Sequence, residues 1–126
     1  MEGYRVGDRR KTGILGEQLA CEALIRRGYE IVARSWRCPR GEVDIVARDG
    51  DCWVFVEVKT RHGQGAGLAE EGLTEDKAAR VAELAAIYLS EHSLDEVDWR
   101  IDLVAIELNA QGRVRRLNLL PGIVID

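Results

Sequence analysis

The sequence predicts an α/β protein, with a mixed central sheet flanked by helices in the order α-β-β-β-α-β-β. Three observations carry that expectation. Gly13–Arg27 and Thr74–Glu91 space their apolar residues as helices do. Two Val-rich runs flank Asp49-Gly50, a strong hairpin signal. A strand, a helix and another strand then follow from Cys52 onward, which implies a right-handed crossover and a parallel pair beside the antiparallel hairpin.

Residues 1–11 are polar and are expected to be loose. Thr12 is the candidate N-cap of the first helix, and Gly28 its stop. Leu15 and Leu19 share one helix face, and Ala20 and Leu24 an adjacent one. Tyr29–Trp36 alternates loosely and reads as the first strand, broken by Cys38-Pro39-Arg40-Gly41. Glu42–Arg48 and Cys52–Thr60 form the hairpin. The glycine-rich stretch Arg61–Gly72 is expected to be a mobile loop. Thr74 opens the second helix, and Glu75 and Asp76 suit the positive end of its dipole. Val81, Leu84 and Tyr88 lie on one stripe of that helix. Trp99–Leu108 is a further strand. A turn at Asn109–Gly112 leads into a last strand over Val114–Leu120.

The 126 residues suggest a single domain, and the 46% hydrophobic and 32% charged fractions are those of a globular protein. No apolar run is long enough to span a bilayer, and no signal-type apolar segment follows the basic N-terminus, so a cytoplasmic location is expected. Cys21, Cys38 and Cys52 show no CxxC pairing, which argues against a disulfide framework or a zinc knuckle. The net charge of −4 exerts no global pull toward nucleic acid, yet arginines crowd the first third of the chain, and a local basic face can still bind phosphate. No G-x-G-x-x-G or Walker pattern is present, so nucleotide-cofactor chemistry is not expected.

The stretch VFVEVKT, Val54–Thr60, poses the functional question, because it sets a carboxylate and an ammonium two residues apart on an otherwise apolar strand. A two-residue Asp49-Gly50 turn would set Arg48 opposite Asp51, Asp44 opposite Phe55 and Glu42 opposite Glu57. Asp44 would then share a face with Phe55, Glu57 and Lys59, unless a single bulge reversed the parity. Glu17 precedes Ala20 by three residues and Leu24 by seven, which puts it on the helix stripe that touches the sheet. Lys77 begins the stripe of Val81, Leu84 and Tyr88, and should lean over the same surface. Glu17, Asp44, Glu57 and Lys59 thus converge. Buried and unpaired, such ions cost several kcal/mol each, on the order of magnitude. A hard divalent cation resolves the repulsion. Mg²⁺ takes one or two carboxylates and keeps waters, which leaves room for a phosphate. Taken alone, Glu57 and Lys59 also read as an ordinary ion pair at a wet strand end.

These letters resemble the PD-(D/E)xK nuclease superfamily, through G-E-V-D at Gly41–Asp44 and F-V-E-V-K-T-R at Phe55–Arg61. They resemble most closely its YraN-like, Holliday-junction-resolvase-related bacterial family. Gly16-Glu17, Gly28-Tyr29, Lys77 and Arg100-Ile101-Asp102 match further positions of that family. Val43 stands where the motif name has proline. The resemblance covers roughly residues 12–108. It implies a restriction-endonuclease-like fold and cleavage of nucleic-acid phosphodiesters. It also implies Mg²⁺ or Mn²⁺ held by Asp44, Glu57 and the Val58 carbonyl, Lys59 as the catalytic lysine, and Glu17 as the helix acid of the resolvase branch.

The expected function is therefore metal-dependent hydrolysis of DNA, including branched or single-stranded DNA, with RNA as a further candidate substrate. Arg40, Arg61, His62 and Lys77 are candidate contacts to backbone phosphates, and no membrane partner is expected. Junction resolvases act as dimers because two symmetric cuts are needed, so a homodimer fits the same reading. The rival is a non-catalytic module that binds nucleic acid or protein on a nuclease fold. Trp36, Trp53 and Trp99 are expected to pack on the sheet rather than stack on bases. An internal ion pair accounts for Arg100 and Asp102 as well as any catalytic task does.

Overall fold

The computed structural model describes residues 6–62, 69 and 73–123, with side chains from Lys11 onward. Its elements are α1 (Val6–Arg26), β1 (Glu30–Cys38), β2 (Gly41–Asp49), β3 (Cys52–His62), α2 (Glu75–Glu91), β4 (Trp99–Leu108) and β5 (Val114–Leu120). This is the expected order. The strands form one sheet in the sequence β1-β2-β3-β4-β5. The β3–β4 pair is parallel and every other pair is antiparallel, as a crossover after a hairpin requires.

The helices cover opposite faces of the sheet. On one side, Ala20, Cys21 and Leu24 of α1 pack on Ile45, Ala47, Val54, Val56, Val104 and Ile106. On the other, Val81, Leu84, Ala85 and Tyr88 of α2 pack on Val43, Val46, Phe55 and Ile101. Tyr88 is the centre of an aromatic group. Trp36 meets it edge-on at 5.2 Å, Phe55 lies at 5.7 Å and Trp53 at 5.9 Å, so Trp36 and Trp53 serve packing as expected. Thr74 caps α2 by accepting a hydrogen bond from the Lys77 N–H.

Three expectations need correction. First, α1 begins at Val6 rather than after Thr12, so residues 6–11 are helical. Arginine and lysine have high helix propensity, and the basic run continues the helix instead of fraying it. The expectation for residues 1–5 lies outside the described residues. Second, β3 extends to His62, so Arg61 and His62 belong to a strand and not to a loop. Of the remaining glycine-rich stretch up to Gly72, only Ala69 is among the described residues, and it is buried.

Third, the hairpin pairs Asp49 with Cys52, Arg48 with Trp53 and Ile45 with Val56, two residues away from the expected register. The turn is Gly50-Asp51. Its only positive φ is at Gly50 (62°), the pattern of a turn with glycine in first position. The shift by two keeps the parity, but the alternation itself breaks. Val43 and Val46 both pack on the α2 side, as do Ala33 and Trp36 of the partner strand. Between these pairs lie Ser35 and Asp44, and Ser35 has a left-handed φ of 49°. The two strands break their alternation together there, and Asp44 lines a cleft with residues of α1. After burial, Glu57 is the influence that most raises its pKa.

Candidate functional site

Gly16 brings α1 down onto β3. A Cβ at this position would lie 2.0 Å from the Thr60 Oγ1, so only glycine fits the approach. The contact sets the next residue, Glu17, over the end of the sheet where β2 and β3 cease to pair after Ile45 and Val56. A cleft of about 390 Å³ opens there, lined by Thr12, Gly13, Glu17, Asp44, Val58, Lys59 and Thr60. Ser35 donates its hydroxyl to Glu17 Oε1 at 3.1 Å. Asp44 Oδ2 accepts the Val58 N–H at 2.8 Å. A strand residue's N–H and C=O leave on the same side, so the Val58 carbonyl also faces the gap left by β2.

Glu57 leans toward α2. It lines a second cleft, of about 370 Å³, with Glu42, Asp76, Lys77, Arg80, Val81 and Leu84. The two clefts share the same sheet end, and their carboxylates interact electrostatically. Burial, and then repulsion by Glu57, push the Asp44 carboxyl up to about 7. The Val58 N–H works the other way, while Glu17 and Glu42 add to the rise. Burial also raises Glu57, with Lys77 and Lys59 pulling it down and Glu42 and Glu17 opposing them. The site is an over-filled acidic cluster with two lysines at its margin.

Of the predicted site residues, Glu17, Asp44, Val58 and Lys59 come together in the first cleft, and Glu57 and Lys77 in the second. Arg40, Arg61 and His62 line neither. Arg40 instead pairs with Glu83 of α2, and its carbonyl accepts a hydrogen bond from Arg80. Glu42, at the second cleft, pairs with Arg37 at 3.2 Å. Among the described residues, no three His, Cys, Asp or Glu side chains form a group that could hold a metal ion. A Mg²⁺ site asks for less than that: one or two carboxylates, completed by a carbonyl and waters. Two neighbouring carboxylates, one of which raises the other's affinity for protons, form a donor set that a cation would satisfy.

Ser35 escaped the sequence reading. A serine within a loosely alternating run gives no sign that its backbone turns left-handed and aims it at Glu17. Thr60 escaped as well, because its importance lies in the shape it offers to Gly16.

Arg100 and Asp102 form the internal ion pair that the sequence allowed, at 2.9 Å, and Asp102 is fully buried. Tyr29 donates to Asp102 Oδ2 at 2.8 Å and accepts from Arg100 at 2.7 Å, while Arg100 also reaches Asp49 at 2.8 Å. The Gly122 N–H completes the Asp102 shell at 2.9 Å. Burial and the Asp102 hydrogen bond push the Tyr29 hydroxyl up to about 12. The network ties the α1–β1 junction, the hairpin turn and β4 together, at the end of the sheet away from the clefts.

Fold and site together define an α/β protein with an acidic, lysine-flanked pair of clefts at one end of a mixed five-stranded sheet. The chain belongs to UPF0102, an uncharacterised protein family whose model matches residues 16–106, a span that holds every clustered acid and lysine named above. This is the YraN-like grouping that the motifs resemble. The UPF0102 protein of Roseiflexus castenholzii is 47% identical over 117 residues, covering 91% of this chain and 94% of that protein. The UPF0102 protein of Chloroflexus aurantiacus is 50% identical over 105 residues, covering 82% and 83%. That of Syntrophus aciditrophicus is 41% identical over 109 residues, covering 86% of both chains.

Proposed function

We propose that the protein is a metal-dependent nuclease that hydrolyses phosphodiester bonds in DNA, branched or single-stranded forms included, in the manner of the PD-(D/E)xK superfamily. The observation that carries this is the meeting of Glu17, Asp44 and Lys59 in one cleft, with Glu57 nearby as the charge that most raises the Asp44 pKa. Asp44, Glu57 and the Val58 carbonyl would hold Mg²⁺ or Mn²⁺, with Glu17 supporting its waters. When bound, such an ion supplies charge stabilisation at phosphorus and a more acidic water.

The reaction is an in-line displacement. The oxygen of a water bonds to phosphorus and gives up a proton to solvent, the opposite P–O bond breaks, and the departing oxygen takes a proton from solvent. Lys59, at the lip of the cleft, holds the attacking water and stabilises negative charge on the phosphoryl oxygens. Lys77 meets the adjacent phosphate from the N-terminal turn of α2. A reduced, cytoplasmic setting belongs to the same reading and accords with free thiols at Cys21, Cys38 and Cys52. Among the described residues, no helix is long and apolar enough to cross a membrane.

That Asp44 and Glu57 line separate clefts favours one alternative, a module that grips nucleic acid or a protein on this fold without cutting. Calorimetric titration with Mg²⁺ and Mn²⁺ separates the two. The nuclease binds metal at millimolar concentration or below, and Glu57→Ala abolishes the heat. A wild-type protein that takes up no metal in that range is the module.

A further inference from the structure

Gly13 stands in the interior of α1, where glycine is the least favourable residue after proline. The other described glycines have reasons within the chain. Gly28, Gly41, Gly50, Gly112 and Gly122 adopt positive φ, and Gly16 rests against Thr60. Gly13 has neither reason. Its backbone is helical. Apart from its chain neighbours and the helix's own backbone, no described atom lies within 4 Å of where its Cβ would stand. An alanine would fit there and favour the helix. Local rules that a sequence breaks without gain to the fold concentrate at functional sites, and close approach of a ligand to the backbone is a recurring use of glycine.

The first cleft lies before this residue. Thr12, Gly13 and Glu17 form its α1 wall, with Asp44 and Lys59 on the sheet side. Gly13 is exposed and stands one helical turn before Glu17, so the two share a face roughly 6 Å apart along the axis. A metal ion and its few waters, at roughly 30 Å³ a water, leave most of the cleft's 390 Å³ open. α1 begins at Val6, so the Gly13 N–H is bonded within the helix. The glycine therefore offers room rather than a hydrogen bond. Thr12 beside it brings a hydroxyl, a group that meets phosphate oxygens in many complexes.

We propose that the sugar–phosphate backbone of the substrate strand passes against α1 at Gly13, at the nucleotide next to the scissile phosphate, and that the missing side chain is what admits it. The inference rests on the nuclease reading and adds to it a side of approach, between α1 and the end of β3. Contact with the backbone carries no sequence information, so this wall selects the path of the strand and not its bases.

The test compares wild type with Gly13→Ala, Gly13→Leu and, at an exposed position of the same helix outside the cleft, Gln18→Leu. Each protein is measured for urea unfolding, for Mg²⁺ and Mn²⁺ affinity by calorimetry, and for kcat/KM on labelled single-stranded, duplex and four-way-junction DNA. Both Gly13 variants should unfold at higher urea than wild type, because alanine and leucine favour helix, and should bind metal as wild type does. On the DNA form cut best, kcat/KM should fall about fivefold in Gly13→Ala and at least ~50-fold in Gly13→Leu, while Gln18→Leu cuts as wild type does. If wild type cuts and Gly13→Leu keeps its kcat/KM, the path past α1 is wrong while the nuclease reading stands. A Gly13→Ala protein less stable than wild type, or a Gly13→Leu protein that loses metal binding, would assign the glycine to the fold or the metal site and overturn the inference. A wild type that cuts none of the three DNAs removes both proposals.

Discussion

Asp44 carries opposing demands. It is half-buried beside a second carboxylate, yet it accepts a backbone hydrogen bond that favours its charged form. Without metal, burial and Glu57 prevail, and the carboxyl sits at about 7 against an ordinary 3.8. Between these two values the folded protein binds more protons than the unfolded chain. The stability Asp44 contributes is thus complete below about pH 4 and is lost as pH rises through 7. In chelator, Asp44→Asn should be more stable than wild type at pH 8 by on the order of 2–4 kcal/mol, and the gap should close toward pH 5. Urea unfolding at the two pH values reads this difference. A gap independent of pH would mean that Asp44 does not titrate in this range. Ser35 belongs to the same scale: its left-handed backbone is a cost that a serine seldom bears, and it stands where its hydroxyl meets Glu17.

At the scale of elements, the decisive contact is α1 against β3. Gly16 is a poor helix former, and alanine in its place would ordinarily gain about 1 kcal/mol in a helix interior. Here the added Cβ meets Thr60, whose β-branched side chain has little freedom to swing aside. Gly16→Ala should therefore destabilise the protein by about 1–3 kcal/mol. Thr60→Ala in the same chain should return most of that loss. A denaturation cycle on the two single variants and the double variant measures the coupling, and strict additivity would show that the helix does not rest on Thr60. The start of α2 is built differently. Thr74 caps it, and its first turn brings Lys77 to Glu57, so the capped end and the stripe together orient the lysine.

Across the whole molecule, the clamp of Tyr29, Asp49, Arg100 and Asp102 closes one end of the sheet, and the parting of β2 and β3 opens the other. Much of this was legible in the sequence. The element order followed from helical spacing, the Asp-Gly turn and the crossover, because each is a local signal. The meeting of Glu17, Asp44 and Lys59 was also legible, although by a route that proved partly wrong. A period of two cannot reveal a point where paired strands break their alternation, as they do at Ser35 and Asp44. The turn was misplaced by one residue because the positive φ belongs to Gly50 as the first turn residue, and Asp-Gly fits either placement. The early start of α1 was hidden by charge, which reads as a loose tail although arginine and lysine favour helix. Resting on this geometry, the central claim is most directly tested by incubating labelled DNA substrates with wild type and Asp44→Ala in Mg²⁺ and following product with time. Cleavage by wild type that stops in chelator and falls at least ~100-fold in Asp44→Ala is the predicted result. An Asp44→Ala protein that cuts as fast as wild type would contradict it.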